Sequence, residues 1–494
     1  MLSLFCFSLC FAEKQDVRIE QLWDELDNLS YEGKPDELRK QRQDLLQEIA
    51  SEYERKGDSV GKLSALLRKR MPQGEDYREE PVTEKLGLFE NLINESRKDP
   101  IVRILRALWY GLAQCESQSA ENQKAGAFAT WDKDKQYRYV DGLFQSLLFD
   151  ESLAEIKADK YCWFLYRGAC SHKWEPTLKD YAALEALRFY GRQELLLPKG
   201  SERVLLAPVE EFLSAQSPFP SPTCGPARAF ALYKSVLRSF KTSGYTDGLV
   251  NFDIQRLHWA SNLVYKGLPH RLLVKRLDEM AKEFTERSVR SFVDYHRAMC
   301  CIRLERFSKA LELAKKWASE ESGPLGVELC QELVNELSEE IYGVGCQDVL
   351  LVGKGKITIE HRNCKKVFFR VYRQSDLEQY NSHIVRDEVV PWLVEGTSAS
   401  VAQLLREGRP IKSWSVQLEK VKDCTWHKED FDVSLPAGHY IIATNLFEDF
   451  AGNADLTLFA NVSVSNLELL DFPEGDHNNI YATCGATGAP LEGV

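Results

Sequence analysis

The chain has 494 residues, of which 44% are hydrophobic and 28% charged, and its formal net charge at pH 7 is −12. This supply of apolar and aromatic residues excludes a chain that is disordered throughout. The acidic balance disfavours non-specific nucleic-acid binding, which needs a basic surface. After the N-terminus no apolar run approaches the roughly 18 residues of a membrane span, which excludes a polytopic membrane protein. The length predicts about three domains.

The N-terminus is typical of a secretory signal peptide. Residues 2–12 form a short apolar stretch that ends in small residues and is followed by a polar segment. We therefore predict a signal peptide over residues 1–12, cleaved after Ala12, and an exported protein of the periplasm or cell envelope. No basic residue precedes the apolar run, so either the signal is weak or the true start lies upstream of Met1. The alternatives are a lipid on Cys10 and a buried N-terminal strand or helix.

From residue 13 to about residue 342 the apolar residues recur at spacings of three and four, which predicts amphipathic helices. Short polar segments rich in Gly and Pro separate them. This pattern predicts an irregular α-helical array of the solenoid or TPR-like kind, although no steady 34-residue period runs along the chain. The expected helices cover residues 18–29, 38–53, 101–115, 137–148, 178–190, 228–240, 252–264, 271–284, 289–304, 308–318 and 326–340.

One helix pair is similar to a tetratricopeptide unit. Its first helix carries Tyr295 and Ala298, and its second helix carries Ala310 and Ala314 after Phe307. Small residues at these positions let two helices approach closely. The simplest interpretation of the apolar stripes is helix–helix core packing.

Beyond about residue 343 the apolar period becomes two, which predicts strands. The expected strands cover residues 356–361, 367–373, 414–418, 439–444 and 456–464, and a turn signal at Leu435–Gly438 precedes the fourth. Several short strands over about 130 residues predict an antiparallel β-sandwich at residues 343–472. The fold class expected from the sequence is therefore multidomain, α then β.

Thirteen cysteines are present, and no Cys-x-x-Cys occurs. His361 with Cys364, and Cys424 with His427, form an inverted pair of motifs that could supply four zinc ligands. Both motifs lie on predicted strands, where residues three apart point to opposite faces. We therefore expect structural or solvated roles for them and keep zinc as the alternative. No histidine has a Ser or Asp at a spacing typical of a catalytic triad, so we predict no catalytic, cofactor-binding or metal site and no cofactor.

The β segment resembles the first macroglobulin-type domain of large bacterial alpha-2-macroglobulin-like proteins. The matching residues are 357–363 running into 367–373, 414–418 followed by Asp423, and 435–440 followed by 462–467. The helical part is similar to the N-terminal extension of a large-type subgroup, on residues 130–132, 176–181, 231–237 and 326–333. The resemblance implies a macroglobulin-like sandwich at residues 343–472 after a helical region at residues 13–342.

Residues 473–494 look like the start of a second sandwich, with a strand at 480–483 and a Thr-Gly-x-Pro-Leu turn at 487–491. We therefore expect the sequence to be a fragment of a longer chain. Members of the family act as protease traps, in which a bait region is cleaved and a Cys–Gln thioester captures the attacker in many of them. The resemblance places that machinery downstream, and no Cys-x-Glu-Gln signature occurs in this sequence.

The resemblance implies a non-enzymatic scaffold segment of an exported, broad-spectrum protease inhibitor. Its expected partners are proteases, reached through the full-length protein, and downstream macroglobulin domains of the same chain. We expect no nucleic acid, and membrane association only through an anchor outside this sequence. The alternative is an exported adaptor, built of helical repeats and a β-sandwich, for envelope assembly or adhesion. A hydrolase would need a convergent polar cluster that the sequence does not indicate.

Overall fold

The computed structural model describes residues 17–27, 35–70, 90, 93, 97–116, 128, 131–161, 174–192, 197, 200–265, 271–318, 323–346, 349–377, 405–419, 424–450, 457–474, 477–485 and 487–491. The segment interpreted as a signal peptide lies outside these residues. The backbone packs as two compact units, residues 1–296 with 322–327 and residues 297–321 with 328–494. Helices come first along the chain and strands follow, as the change of period predicted.

The helices follow one another from Val17 to Ser338, and a further short helix lies between strands. They are α1 (Val17–Asp27), α2 (Pro35–Arg55), α3 (Ser59–Arg70), α4 (Pro100–Glu116), α5 (Lys133–Leu148), α6 (Leu178–Tyr190), α7 (Ser201–Leu205), α8 (Val209–Ser214), α9 (Gly225–Ser243), α10 (Thr246–Tyr265), α11 (Arg271–Glu283), α12 (Arg287–Arg303), α13 (Phe307–Lys315), α14 (Leu325–Ser338) and α15 (Gln374–Leu377). No helix in the described residues is both long enough and apolar enough to cross a membrane.

Two of the motifs that carry the family resemblance are helix N-caps. Thr177 accepts from the backbone N–H of Asp180, whose carboxylate accepts from the N–H of Thr177 in return, so α6 begins with a capping box. Asp132 caps α5 by accepting from the N–H of Lys135. The ammonium of Lys135 lies 4.3 Å from the centre of the Trp131 ring. These residues therefore fix where the two helices begin.

A close backbone approach explains Gly326 in the motif of α14. A Cβ atom at this position would lie 2.2 Å from the backbone nitrogen of Phe292 and 2.5 Å from Oγ of Ser291. The backbone nitrogen cannot move aside cheaply, and the Ser291 hydroxyl is held by the hydrogen bond that it donates to the backbone oxygen of Ser288 at 3.0 Å. Only glycine fits without displacing backbone.

We expect Gly326→Ala to lower the free energy of unfolding by about 2 kcal/mol or more, because the added methyl overpacks this contact. The matched control is Gly142→Ala in α5, where a Cβ would meet nothing within 4 Å. That control should raise stability by about 0.5–1 kcal/mol, since alanine is the better helix former. Urea denaturation of both variants measures the difference. A Gly326→Ala protein as stable as the wild type would contradict the close approach.

Ten strands form three sheets: β1 (Ile341–Cys346), β2 (Val349–Leu350), β3 (Gly355–Arg362), β4 (Lys366–Arg373), β5 (Lys412–Gln417), β6 (His427–Val433), β7 (Gly438–Asn445), β8 (Leu458–Val464), β9 (Leu467–Glu474) and β10 (His477–Cys484), counted over the described residues. Their orders are β1-β3-β6, β2-β8-β7-β4-β5 and β10-β9. All pairs are antiparallel except β2 with β8, which is parallel.

One hydrophobic core contains side chains from both the three-stranded and the five-stranded sheet. The three-stranded sheet contributes Val344, Ile357, Ile359 and Val433, and the five-stranded sheet contributes Leu350, Val367, Phe369, Val371, Tyr440, Ile442, Ala460, Val462 and Val464. The indole of Trp414 stacks on Phe369 with ring centres 4.7 Å apart. In the central strands the buried residues alternate, as the period of two requires.

The turn before β7 explains a second motif of the resemblance. The hydroxyl of Tyr440 donates to the backbone oxygen of Pro436 at 3.0 Å, so the ring folds back over the turn. Gly438 has φ +153, and a Cβ there would lie 3.1 Å from the Tyr440 hydroxyl oxygen. Leu435 is buried in the core at the start of the turn. The motif Leu-Pro-Ala-Gly-x-Tyr therefore encodes one locked turn.

Gly438→Ala should lower the free energy of unfolding by about 1–3 kcal/mol, because alanine neither tolerates this φ nor fits beside the tyrosine ring. Tyr440→Phe removes one hydrogen bond and keeps the ring, so it should cost about 1 kcal/mol. Thermal or urea denaturation measures both, and Gly353→Ala is a control with φ +75 and no backbone neighbour within 4 Å. The locked turn would be wrong if the Gly438 variant were no less stable than the Gly353 variant.

Candidate functional site

The two histidines of the inverted zinc motif lie side by side in the three-stranded sheet. His361 at the end of β3 pairs in register with His427 at the start of β6. Their ring centres are 5.8 Å apart. Residues directly opposite each other on antiparallel strands share a face, so the sheet brings the two rings together.

Each of these histidines has its own polar partner. The side chain of His361 is 1% exposed, and its Nε2 lies 2.9 Å from Oε1 of Glu429. The same carboxylate oxygen accepts from the backbone N–H of Glu419 at 2.8 Å. The Nε2 atom of His427 lies 3.0 Å from Oγ1 of Thr425. Glu429 of β6 therefore binds the buried His361 and the backbone of Glu419 through one carboxylate oxygen.

The cysteines of the motif do not complete a ligand set. The thiol of Cys364 donates to the backbone oxygen of Ile341 at 3.2 Å, and burial raises its pKa to about 11. A thiol with so high a pKa stays protonated near neutral pH and is a poor metal ligand and a poor nucleophile. Cys424 is buried as well and has φ +58. Across the described residues, no group of three or more His, Cys, Asp or Glu side chains could hold a metal ion.

The two residues between His361 and Cys364 bind the end of a helix. Arg362 donates from Nη2 to the backbone oxygen of Glu336 at 2.6 Å. Asn363 donates from Nδ2 to the backbone oxygens of Leu337 at 2.8 Å and Glu339 at 3.0 Å. These carbonyls belong to the last turn of α14 and the residue beyond it, where intrahelical donors run out. The turn between β3 and β4 therefore caps α14.

Sequence reasoning missed this capping role, although Asn363 carried a signal for it. Asn363 has φ +63, in the left-handed region that asparagine tolerates better than most residues. Its position between two strands marked a turn. The helix that it binds could not be read from spacing, because the contact joins residues 24 and 26 positions apart.

Asn363→Ala should lower the free energy of unfolding by about 2–3 kcal/mol. It removes two hydrogen bonds, and alanine lacks the polar side chain through which asparagine tolerates a positive φ. Asn363→Gly removes the same hydrogen bonds but relieves the backbone, so its cost should be about 1–2 kcal/mol smaller. Denaturant unfolding, together with hydrogen exchange of the α14 amides, separates the two effects. Equal stability of the alanine variant and the wild type would contradict the capping role.

A serine and a histidine for which the sequence predicted no contact also lie within hydrogen-bond distance of each other. His439 on β7 lies opposite Ser463 on β8, and its Nδ1 is 2.9 Å from the serine Oγ. A catalytic pair of this kind needs an acid on the other ring nitrogen to orient the imidazole. Within the described part of the chain Ser463 is the recorded partner of His439. The geometry is that of an ordinary cross-strand pair on an exposed sheet face.

A buried ion pair occupies the helical unit. Arg256 is fully buried and binds Asp253 at 2.6 Å, and its guanidinium also donates to the backbone oxygen of Ala207 at 2.8 Å. It lies 4.4 Å from the ring centre of Phe212. Asp253 lines a small cavity of about 40 Å³ together with Arg276. That volume holds only a few water molecules and is too small for an organic ligand. We therefore assign the cluster a structural role, in which Arg256 of α10 binds the backbone oxygen of Ala207.

Comparison with known protein families matches no family model, and comparison with curated proteins finds no match. The resemblance to alpha-2-macroglobulin-like proteins therefore rests on the residues of the sequence. The structure gives physical roles to several of those residues: Thr177, Asp180, Gly326, Arg362, Asn363, Gly438 and Tyr440.

Proposed function

We propose that the chain is the N-terminal scaffold segment of an exported alpha-2-macroglobulin-like protease inhibitor. In this proposal the helical region at residues 13–342 is an irregular, TPR-like array, and residues 343–472 form a macroglobulin-like β-sandwich. Residues 473–494 open a second sandwich, and the bait and thioester regions lie further along the full-length protein. The segment itself contributes no catalysis.

The observation that carries the proposal is the hydrophobic core to which two sheets contribute, because several of its residues belong to the motifs of the resemblance. Ile357, Ile359, Val367, Phe369 and Tyr440 fall within the matching motifs and point into this core. Side chains of two sheets that share one core are typical of a β-sandwich, which is the architecture that the resemblance implies for residues 343–472. The locked turn at Gly438 and the capping turn at Asn363 give structural reasons for the remaining motif residues.

Two further observations support the finer parts of the proposal. In the expected TPR-like pair, Ala298, Ala310 and Ala314 are fully buried, as close helix packing demands. Beyond β10 the chain turns back, and Thr483 forms an isolated antiparallel bridge with Pro490. The backbone N–H of Leu491 donates to the oxygen of Ala482 at 2.9 Å. A third strand beside β10 is the expected start of another sheet.

The proposal predicts that the gene continues past the Val494 codon with repeated sandwich-sized units. Sequencing the source locus tests this, together with an immunoblot of native extract using an antibody against residues 343–472. The expected result is an open frame of roughly another thousand residues and a polypeptide far larger than 56.6 kDa. A stop codon directly after Val494 would overturn the inhibitor proposal and favour the envelope adaptor.

Trapping has its own readout in the native full-length protein. A protease held in a trap keeps its activity on small peptide substrates and loses it on large protein substrates. We expect that pattern after incubation with trypsin, with trypsin and a small active-site inhibitor as the control. Equal loss on both substrate sizes, or no loss on either, would contradict a trap.

A further inference from the structure

The residues that lead into α6 are hydrogen-bonded through the backbone to residues 156–158, at the start of the short 3₁₀ helix Ala158–Tyr161. Ala158 donates its N–H to the oxygen of Pro176 at 3.1 Å, and Leu178 donates its N–H to the oxygen of Ile156 at 2.9 Å. An isolated bridge between Lys157 and Thr177 lies between these two bonds. Hydrogen exchange of these two amides therefore measures whether residues 176–178 stay hydrogen-bonded to residues 156–158.

Side chains fasten the same segment to α10 and α12. The ring of Trp174 stacks on Phe292 with centres 4.3 Å apart. Next to it, Glu175 accepts at Oε1 from Nδ2 of Asn251 at 2.6 Å. Asn251 accepts in turn from Gln255 at 3.0 Å, which fixes the amide so that its donor faces the carboxyl group. Glu175 therefore makes a polar contact with α10 next to the apolar contact of Trp174 with α12.

The carboxyl group of Glu175 is buried, and no oppositely charged side chain of the described residues is bonded to it. The residue is 4% exposed, and within the described residues it forms no ion pair. Arg188 of α6 acts on it at longer range but is itself bonded to Glu185 at 2.6 Å. An ionised carboxylate at this place would keep one amide hydrogen bond and lose most of its hydration, which is unfavourable.

The other titratable groups around Glu175 add to this penalty. Asp180 and Glu185 of α6 are acidic and raise its pKa further, and Tyr245 faces the same group of carboxylates from the N-terminal side of α10. On α12, His296 contacts Phe292, with ring centres 4.7 Å apart. Burial is the largest cause, and it raises the pKa of Glu175 to about 7.

We propose that Glu175 is a proton-dependent latch, which holds residues 174–178 against α10 and α12 when protonated and releases them when it loses its proton.

The direction of the effect follows from linkage. The closed state binds the proton more tightly than the open state, in which the carboxyl titrates near its ordinary value of 4.5. The latch is therefore strongest below about pH 4.5, weakens as pH rises from there to about 7, and stays at its weakest level above that. An exposed carboxylate would show no such dependence.

Hydrogen exchange of the Ala158 and Leu178 amides tests the latch in the full chain. After correction for intrinsic exchange rates, the protection of Glu175→Gln divided by that of the wild type should rise roughly fiftyfold between pH 5 and pH 7.5 and then level off. Glutamine keeps the acceptor for Asn251 and carries no charge at any pH. A ratio that does not change with pH would overturn the proposal.

Two further variants separate the latch from a merely structural contact. Asn251→Ala removes the hydrogen bond that favours the ionised form, so the pH at which wild-type protection stops falling should move upward. Glu211→Gln changes an exposed glutamate of α8 in the same unit and should give the wild-type profile at both amides. An unchanged profile in Asn251→Ala, or a shifted one in Glu211→Gln, would contradict the assignment to Glu175.

Discussion

The β-region depends on one hydrophobic core to which two sheets contribute side chains. Each large aliphatic or aromatic side chain in that core contributes about 1.5–3 kcal/mol relative to exposure. Because side chains alternate along a strand, slipping any pair by one residue would turn its buried set towards solvent. The locked turn before β7 and the capping turn after β3 lie where such a slip would begin. Register, core and turns therefore specify one arrangement together.

The period of the apolar residues was the part of the sequence that predicted the fold well. The helix expected at residues 178–190 matches α6, and the structure adds that Thr177 and Asp180 form the capping box at its start. The strands expected at 356–361 and 367–373 match β3 and β4, which bury every second residue. The short helices α7 and α8 were missed, since five or six residues are too few to show a helical period.

Four strands were missed, β1, β2, β6 and β9, and for β1 and β6 the reason lies in their composition. In β6, charged residues fill most positions and only Phe431 and Val433 give an apolar signal. In β1, Gly343 and Gly345 replace the side chains that would have shown the alternation. The contacts of His361 and His439 were out of reach as well, because each depends on which residues face one another across neighbouring strands. The buried carboxyl of Glu175 depends on Asn251, 76 positions away along the chain.

The capping turn between β3 and β4 also decides where the chain can be divided. A cut before residue 343 would remove Ile341 and Tyr342, and with them the acceptor of the Cys364 thiol and the hydroxyl that donates to the backbone oxygen of Thr444. It would also leave buried Arg362 facing empty space instead of the end of α14. The C-terminal part of α14 is therefore an integral part of the β-region in a folding sense. A piece of the chain that begins at residue 343 should therefore be less stable than one that begins at residue 328.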